Sequence, residues 1–148
     1  MSLLKNSLII KKKFRKNLYS KILMKFNSKK IISKIKPTKI CHLASIAGVR
    51  YSLENPIIYS QNNIEGFINL MEEARKNNVQ NVIYASSSSV YGLNEKIPFS
   101  ETDKIVSCNS PYAASKRSME VFASTYNQLY NLPLIGLRFF TVYGPRGR

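Results

Sequence analysis

The chain has no tryptophan, two cysteines, one histidine and six glycines in 148 residues. Cys41 and Cys108 offer neither metal-ligand spacing nor a disulfide framework, so they read as reduced thiols of a cytoplasmic protein. His42, alone and without an acidic neighbour, reads as a packing residue, which sets zinc chemistry aside. Glycine is absent before Gly48, so the first 47 residues hold no glycine-rich turn of the kind whose backbone N–H groups cradle a phosphate. No apolar run approaches the roughly 18–20 residues of a membrane span. Acids are missing from the start as well. The first is Glu54, whereas 13 of the 23 Lys and Arg residues lie in the first 40 positions, so the net charge of +15 belongs almost wholly to the first quarter of the chain.

Residues 1–36 therefore form a basic, poorly constrained segment, distinct from residues 37–148, where bases and acids nearly balance. An acid-free basic stretch can hold polyanions or an anionic membrane surface without sequence specificity, and it resembles a mitochondrial transit peptide. Its abundance of Lys, Ile and Asn is also what an A/T-rich coding sequence yields under weak constraint, with residues 27–36 as the remnant of a helix leading into the first strand.

From there the pattern alternates. Residues 38–44 read as a strand, 56–77 as a helix entered at Asn55-Pro56, and 80–86 as a strand. A loop follows over 93–109, then a helix over 111–130 and a strand over 133–140. This β-α-β-α-β order predicts an α/β fold, a partial doubly wound parallel sheet of the Rossmann type.

Chemistry concentrates at the ends of these strands, where ligands of such sheets sit. Tyr112 and Lys116, four apart, share one helix face, and an ammonium held beside a phenol favours the phenolate and makes it a usable base. Alone, that spacing is only a ring beside a solvated charge. Its context is a hydroxyl cluster, Ser86-Ser-Ser-Ser89, closing the second strand about 25 residues upstream.

Five motifs in order make the chain resemble the extended short-chain dehydrogenase/reductase superfamily, in its nucleotide-sugar epimerase and dehydratase branch. They are His42-Leu-Ala-Ser-Ile-Ala-Gly-Val-Arg-Tyr-Ser52, Asn62-Asn-Ile-Glu-Gly66, Tyr84-Ala-Ser-Ser-Ser-Ser-Val-Tyr-Gly92, Ser110-Pro-Tyr-Ala-Ala-Ser-Lys116 and Leu137-Arg-Phe-Phe-Thr-Val-Tyr-Gly-Pro-Arg-Gly-Arg148. Within that branch the chain looks most like UDP-glucuronate 4-epimerases. The resemblance implies bound NAD that takes hydride from sugar C4 while the Tyr112 phenolate takes the hydroxyl proton, the ketone then turning over before reduction on its other face.

By the same resemblance Tyr112, Lys116 and Ser87 are the catalytic residues. Ala44, Asn62, Tyr112, Lys116 and Phe140 line the cofactor cleft, and Ser88, Ser89, Thr141 and Arg148 meet the nucleotide sugar, Arg148 by a bidentate pair with the glucuronate carboxylate. Intact relatives are implied to be homodimers, with no specific nucleic-acid partner. The superfamily also opens with a glycine-rich strand–turn–helix and closes with a substrate lobe. Neither is legible here, so the sequence reads as the middle of an enzyme, truncated at both ends and inactive as it stands. The alternatives are a 4,6-dehydratase or decarboxylase fragment, disfavoured by Ser87-Ser-Ser where dehydratases commonly carry Thr-Asp-Glu, and a degenerate gene product with a basic polyanion-binding segment.

Overall fold

The computed structural model describes residues 27–105 and 107–145. Residues 1–26 of the basic segment, and Arg148, lie outside the described residues.

Helix α1 (Asn27–Ile35) leads into β1 (Lys39–His42). A short helix α2 (Val49–Glu54) follows, then α3 (Pro56–Tyr59), a π-helical turn (Ser60–Glu65) and α4 (Gly66–Lys76) as one continuous rod. Strand β2 (Asn81–Ser87) ends in a single 3-10 turn (Ser88–Tyr91), and after a loop come α5 (Pro111–Tyr130) and β3 (Leu134–Phe139). The strands are all parallel in the order β1-β2-β3, with Ile40 opposite Val82 and Val82 opposite Leu134. The expected β-α-β-α-β order and the parallel sheet are thus present.

Two differences have local causes. The helix expected over 56–77 is interrupted by the π turn, where Asn62 Nδ2 donates to Ile58 O (2.7 Å) and competes with the helical ladder. Helix α2 was not foreseen, because its six residues are too few to show a period.

The core lies on one face of the sheet. Phe67 and Met71 of α4 and Met119, Ala123 and Tyr126 of α5 pack over Val82 and Tyr84 of β2. Gly136 sits opposite Tyr84, where an added Cβ would stand 2.5 Å from the tyrosine hydroxyl, so only glycine lets that ring lie across β3. On the other face Cys41, Ile135, Leu137 and Phe139 stay exposed among the described residues. The boundary expected between residues 36 and 37 falls just after α1, whose Ile32 is buried and lines a cavity of about 50 Å³ with Pro37, Ile40 and Leu70. No helix among the described residues is long and apolar enough to cross a membrane.

Candidate active site at the strand ends

Helix α5 begins where its sequence says it should. Ser110 caps it by accepting from Ala113 N (3.1 Å), and Pro111 fills a first-turn position that needs no donor. Tyr112 therefore stands in the first turn and Lys116 one turn later, with the ammonium 6.0 Å from the centre of the phenol ring. Lys116 is only 1% exposed. Its Nζ donates to Ser45 Oγ (2.8 Å) in the loop after β1 and to Ala85 O (2.8 Å) in β2. Burial lowers its pKa to about 8, because taking an ammonium from water disfavours the charged form.

Tyr112 rests on a scaffold built from α3 and the π turn. The buried Tyr59 meets its ring edge-on, centroids 6.1 Å apart, and donates its hydroxyl to Ala47 O (3.0 Å) and Gly48 O (2.8 Å). One turn later Asn63 accepts from Ile46 N (2.8 Å) and donates to Ile46 O (3.0 Å) and to Ser115 Oγ (3.0 Å). Ser115 in turn donates to Tyr112 O (2.8 Å). The loop after β1 and the first turn of α5 are thereby fastened to one another.

Strand alternation sorts the serines. Ser86 points to the core side and donates to Glu120 Oε1 (2.6 Å), whereas Ser87, the buried last residue of β2, accepts from Ser89 N (3.2 Å). Ser88 and Ser89 are half-buried in the 3-10 turn. Ala44 is half-buried after β1, Asn62 is buried with its amide turned back on Ile58, and Phe140 is 58% exposed beside Tyr91 and Phe99. Thr141 is exposed. A groove of about 720 Å³, lined by Tyr84, Tyr91, Arg138 and Phe140 among others, opens between α5 and β3 and does not include Tyr112 or Lys116.

A sequence model of the NAD-dependent epimerase/dehydratase family matches residues 5–148. The chain belongs to that family. It is 59% identical to Protein CapI of Staphylococcus aureus over 112 residues, 76% of this chain and 34% of CapI. It is 54% identical to UDP-glucuronate 4-epimerase 3 of Arabidopsis thaliana over 121 residues, 81% of this chain and 28% of that one. Among solved structures, the UDP-glucuronic acid 4-epimerase of Bacillus cereus, in complex with UDP-glucuronic acid and NAD, superposes with a TM-score of 0.75 at 33% identity, covering 85% of this chain and 39% of its own. The chain thus spans about a third of the length of the curated relatives it matches.

The residues present fit one end of the family's cofactor. Lys116 uses two of its three donors inside the protein, and the third would be left for a ligand hydroxyl such as a ribose beside the half-buried Ser45. The pyrophosphate end calls for backbone donors at a glycine-rich helix start, and residues 1–47 contain no glycine.

Sequence reasoning missed Ser45, Tyr59 and Asn63. Ser45 and Asn63 lay inside the five motifs but were given no role, and Tyr59 lay outside them. His42 is 6% exposed and stacks on Phe67 at 5.6 Å. Its pKa falls from 6.5 to about 4, first through burial and then through Lys116. The native state thus refuses a proton that the unfolded chain accepts below pH 6.5, so stability falls as pH drops from 6.5 to 4 and the loss is complete below 4. The gap amounts to about 3 kcal/mol. In urea unfolding at pH 7 and pH 4, His42→Gln should lose about 3 kcal/mol less than the wild type across that interval. Parallel losses would show that another group carries the acid sensitivity.

Proposed function

We propose that this segment carries the reaction centre of a UDP-glucuronate 4-epimerase. The observation that carries the reading is the buried Lys116 ammonium one helical turn from Tyr112. Identity to named UDP-glucuronate 4-epimerases over three-quarters or more of the chain supports the choice of sugar.

In this reading the Tyr112 hydroxyl, as phenolate, takes the proton of the sugar 4-OH and later returns it. Lys116 favours that phenolate by its charge and donates its remaining N–H to the nicotinamide ribose. NAD, when bound, would supply the hydride chemistry at C4. Ser87 shares a hydrogen bond with the 4-oxygen, and Ser88 and Ser89 hold the sugar beyond it. Ala44, Asn62 and Phe140 border the cofactor. Thr141 and Arg148 meet the carboxylate, where a guanidinium fork matches two oxygens at once.

Two outcomes follow for experiment. The 148-residue polypeptide by itself should show no saturable NAD binding in the micromolar range by calorimetry, because pyrophosphate affinity comes largely from a glycine-rich helix start. When residues 37–148 replace the matching segment of the Arabidopsis enzyme, the graft should convert UDP-glucuronate to its 4-epimer, as read by chromatography. Turnover of UDP-glucose in preference would overturn the choice of sugar. Release of a keto sugar would mean dehydratase or decarboxylase chemistry instead.

A further inference from the structure

Lys116 presents a problem that the reaction does not explain. An ammonium 1% exposed is expensive to keep charged unless an anion pairs with it, yet among the described residues no carboxylate does. The nearest carboxylate on its own helix, Glu120, is engaged by Arg138, Arg117 and Ser86. The titratable groups that do face Lys116 are His42 from β1 and Tyr112 from α5, neither of them a carboxylate. Two dipoles remain, Ala85 O at 2.8 Å and Ser45 Oγ at 2.8 Å. The first is main chain, fixed by the sheet. Among the described residues, the second is the only side chain that accepts from the ammonium.

We propose that Ser45 is a positioning residue for the reaction centre, its hydroxyl holding Lys116 charged and in place beside Tyr112. The proposal rests on the reading of Tyr112 and Lys116 given above and adds a residue to it. The loop that carries Ser45 is suited to the task. Asn63 grips its neighbour Ile46 at both N–H and C=O, and Tyr59 holds Ala47 and Gly48, so Ser45 sits on a segment pinned on its C-terminal side. Because Ser45 accepts from Lys116, its own O–H is left to donate, and the residue is half-exposed toward the loop surface. One hydroxyl can therefore accept from the ammonium and still have its own O–H free to donate.

The test reads protonation of Lys116 itself, on the full chain and without cofactor. Lysine labelled with ¹³C at Cε gives one NMR signal per residue, and Lys116→Arg assigns the one of interest by its loss. In the wild type this signal should titrate near pH 8. Ser45→Ala should lower the midpoint by about one unit, a tenfold change in the protonation constant, since a hydrogen bond to a charged donor is lost. Ser45→Thr, which keeps the hydroxyl, should bring it back to within about a third of a unit. A merely structural role would shift the urea midpoint and leave the titration where it was. An unmoved midpoint in Ser45→Ala overturns the proposal. Should that variant lose its helical circular dichroism, Ser45→Cys replaces it, with a near-equal volume and a weak acceptor, under the same two outcomes. Failure of the graft to epimerise would leave this titration untouched, so the two readings fail separately.

Discussion

Tyr112→Phe, introduced into the grafted epimerase, is expected to lower the epimerisation rate by roughly 10² to 10⁴ while leaving cofactor affinity nearly unchanged. The change removes one oxygen. The ring it leaves behind still meets Tyr59 edge-on at 6.1 Å, and the helix turn beneath it is still held by Ser110, Pro111 and Ser115, none of which touches the hydroxyl. Lys116 keeps both of its hydrogen bonds, because neither partner is Tyr112. What disappears is the group asked to carry the proton between C4 oxygen and protein, and general acid–base catalysis by one positioned group is worth about that range. A variant retaining more than about a tenth of the parent rate would rule Tyr112 out as the base, since such a loss lies well below what proton transfer supplies. A large fall in NAD affinity would instead mean that the phenol is mainly a binding group.

The order of strands and helices along the chain, their parallel pairing and the long helix Pro111–Tyr130 were legible in the sequence. Each rests on local signals that the chain repeats: apolar runs, a serine–proline helix start, a tyrosine and lysine one turn apart. What was not legible depends on contacts between distant segments. Ser45 is 71 residues from Lys116 and Asn63 is 52 from Ser115, so no window of sequence joins them. The π turn has a local cause, the Asn62 amide donating to Ile58 O four residues back, but nothing in the apolar spacing of residues 56–77 marks it. Among the four serines, alternation along β2 could have separated Ser86 from Ser87, but only once Glu120 was known to lie on the core side. In the basic segment, the spacing of Ile31, Ile32 and Ile35 gives α1 an apolar stripe beneath its charges and places Ile32 in contact with the body of the domain.

Glu120→Ala should cost about 3 kcal/mol or more of stability. Its carboxylate, with a side chain 11% exposed, receives Arg138 through Nε and Nη2 (2.9 and 3.0 Å), Arg117 through Nη1 (2.9 Å) and Ser86 through Oγ (2.6 Å). Burial raises the Glu120 pKa, but the hydrogen bonds from Arg138, Ser86 and Arg117 together outweigh it and hold the carboxyl below its ordinary value. That stabilisation is therefore present above the unfolded carboxylate range near 4.5 and is lost as pH falls through the lower native value. The two arginines do not count equally. Arg117 is 39% exposed and three residues away on the same helix, so its share is small, whereas Arg138 is 17% exposed, bidentate and also stacked 4.9 Å over Tyr91. Removing the carboxylate strands Arg138 in a place that was built for a pair, and a buried charge left alone costs more than the pair contributed. Glu120→Ala combined with Arg138→Met should accordingly recover much of the loss in urea unfolding, which a simple sum of two independent effects would not allow. If the double variant is instead as unstable as the added singles, the network is a set of separate contacts and not one clamp joining β2, β3 and α5.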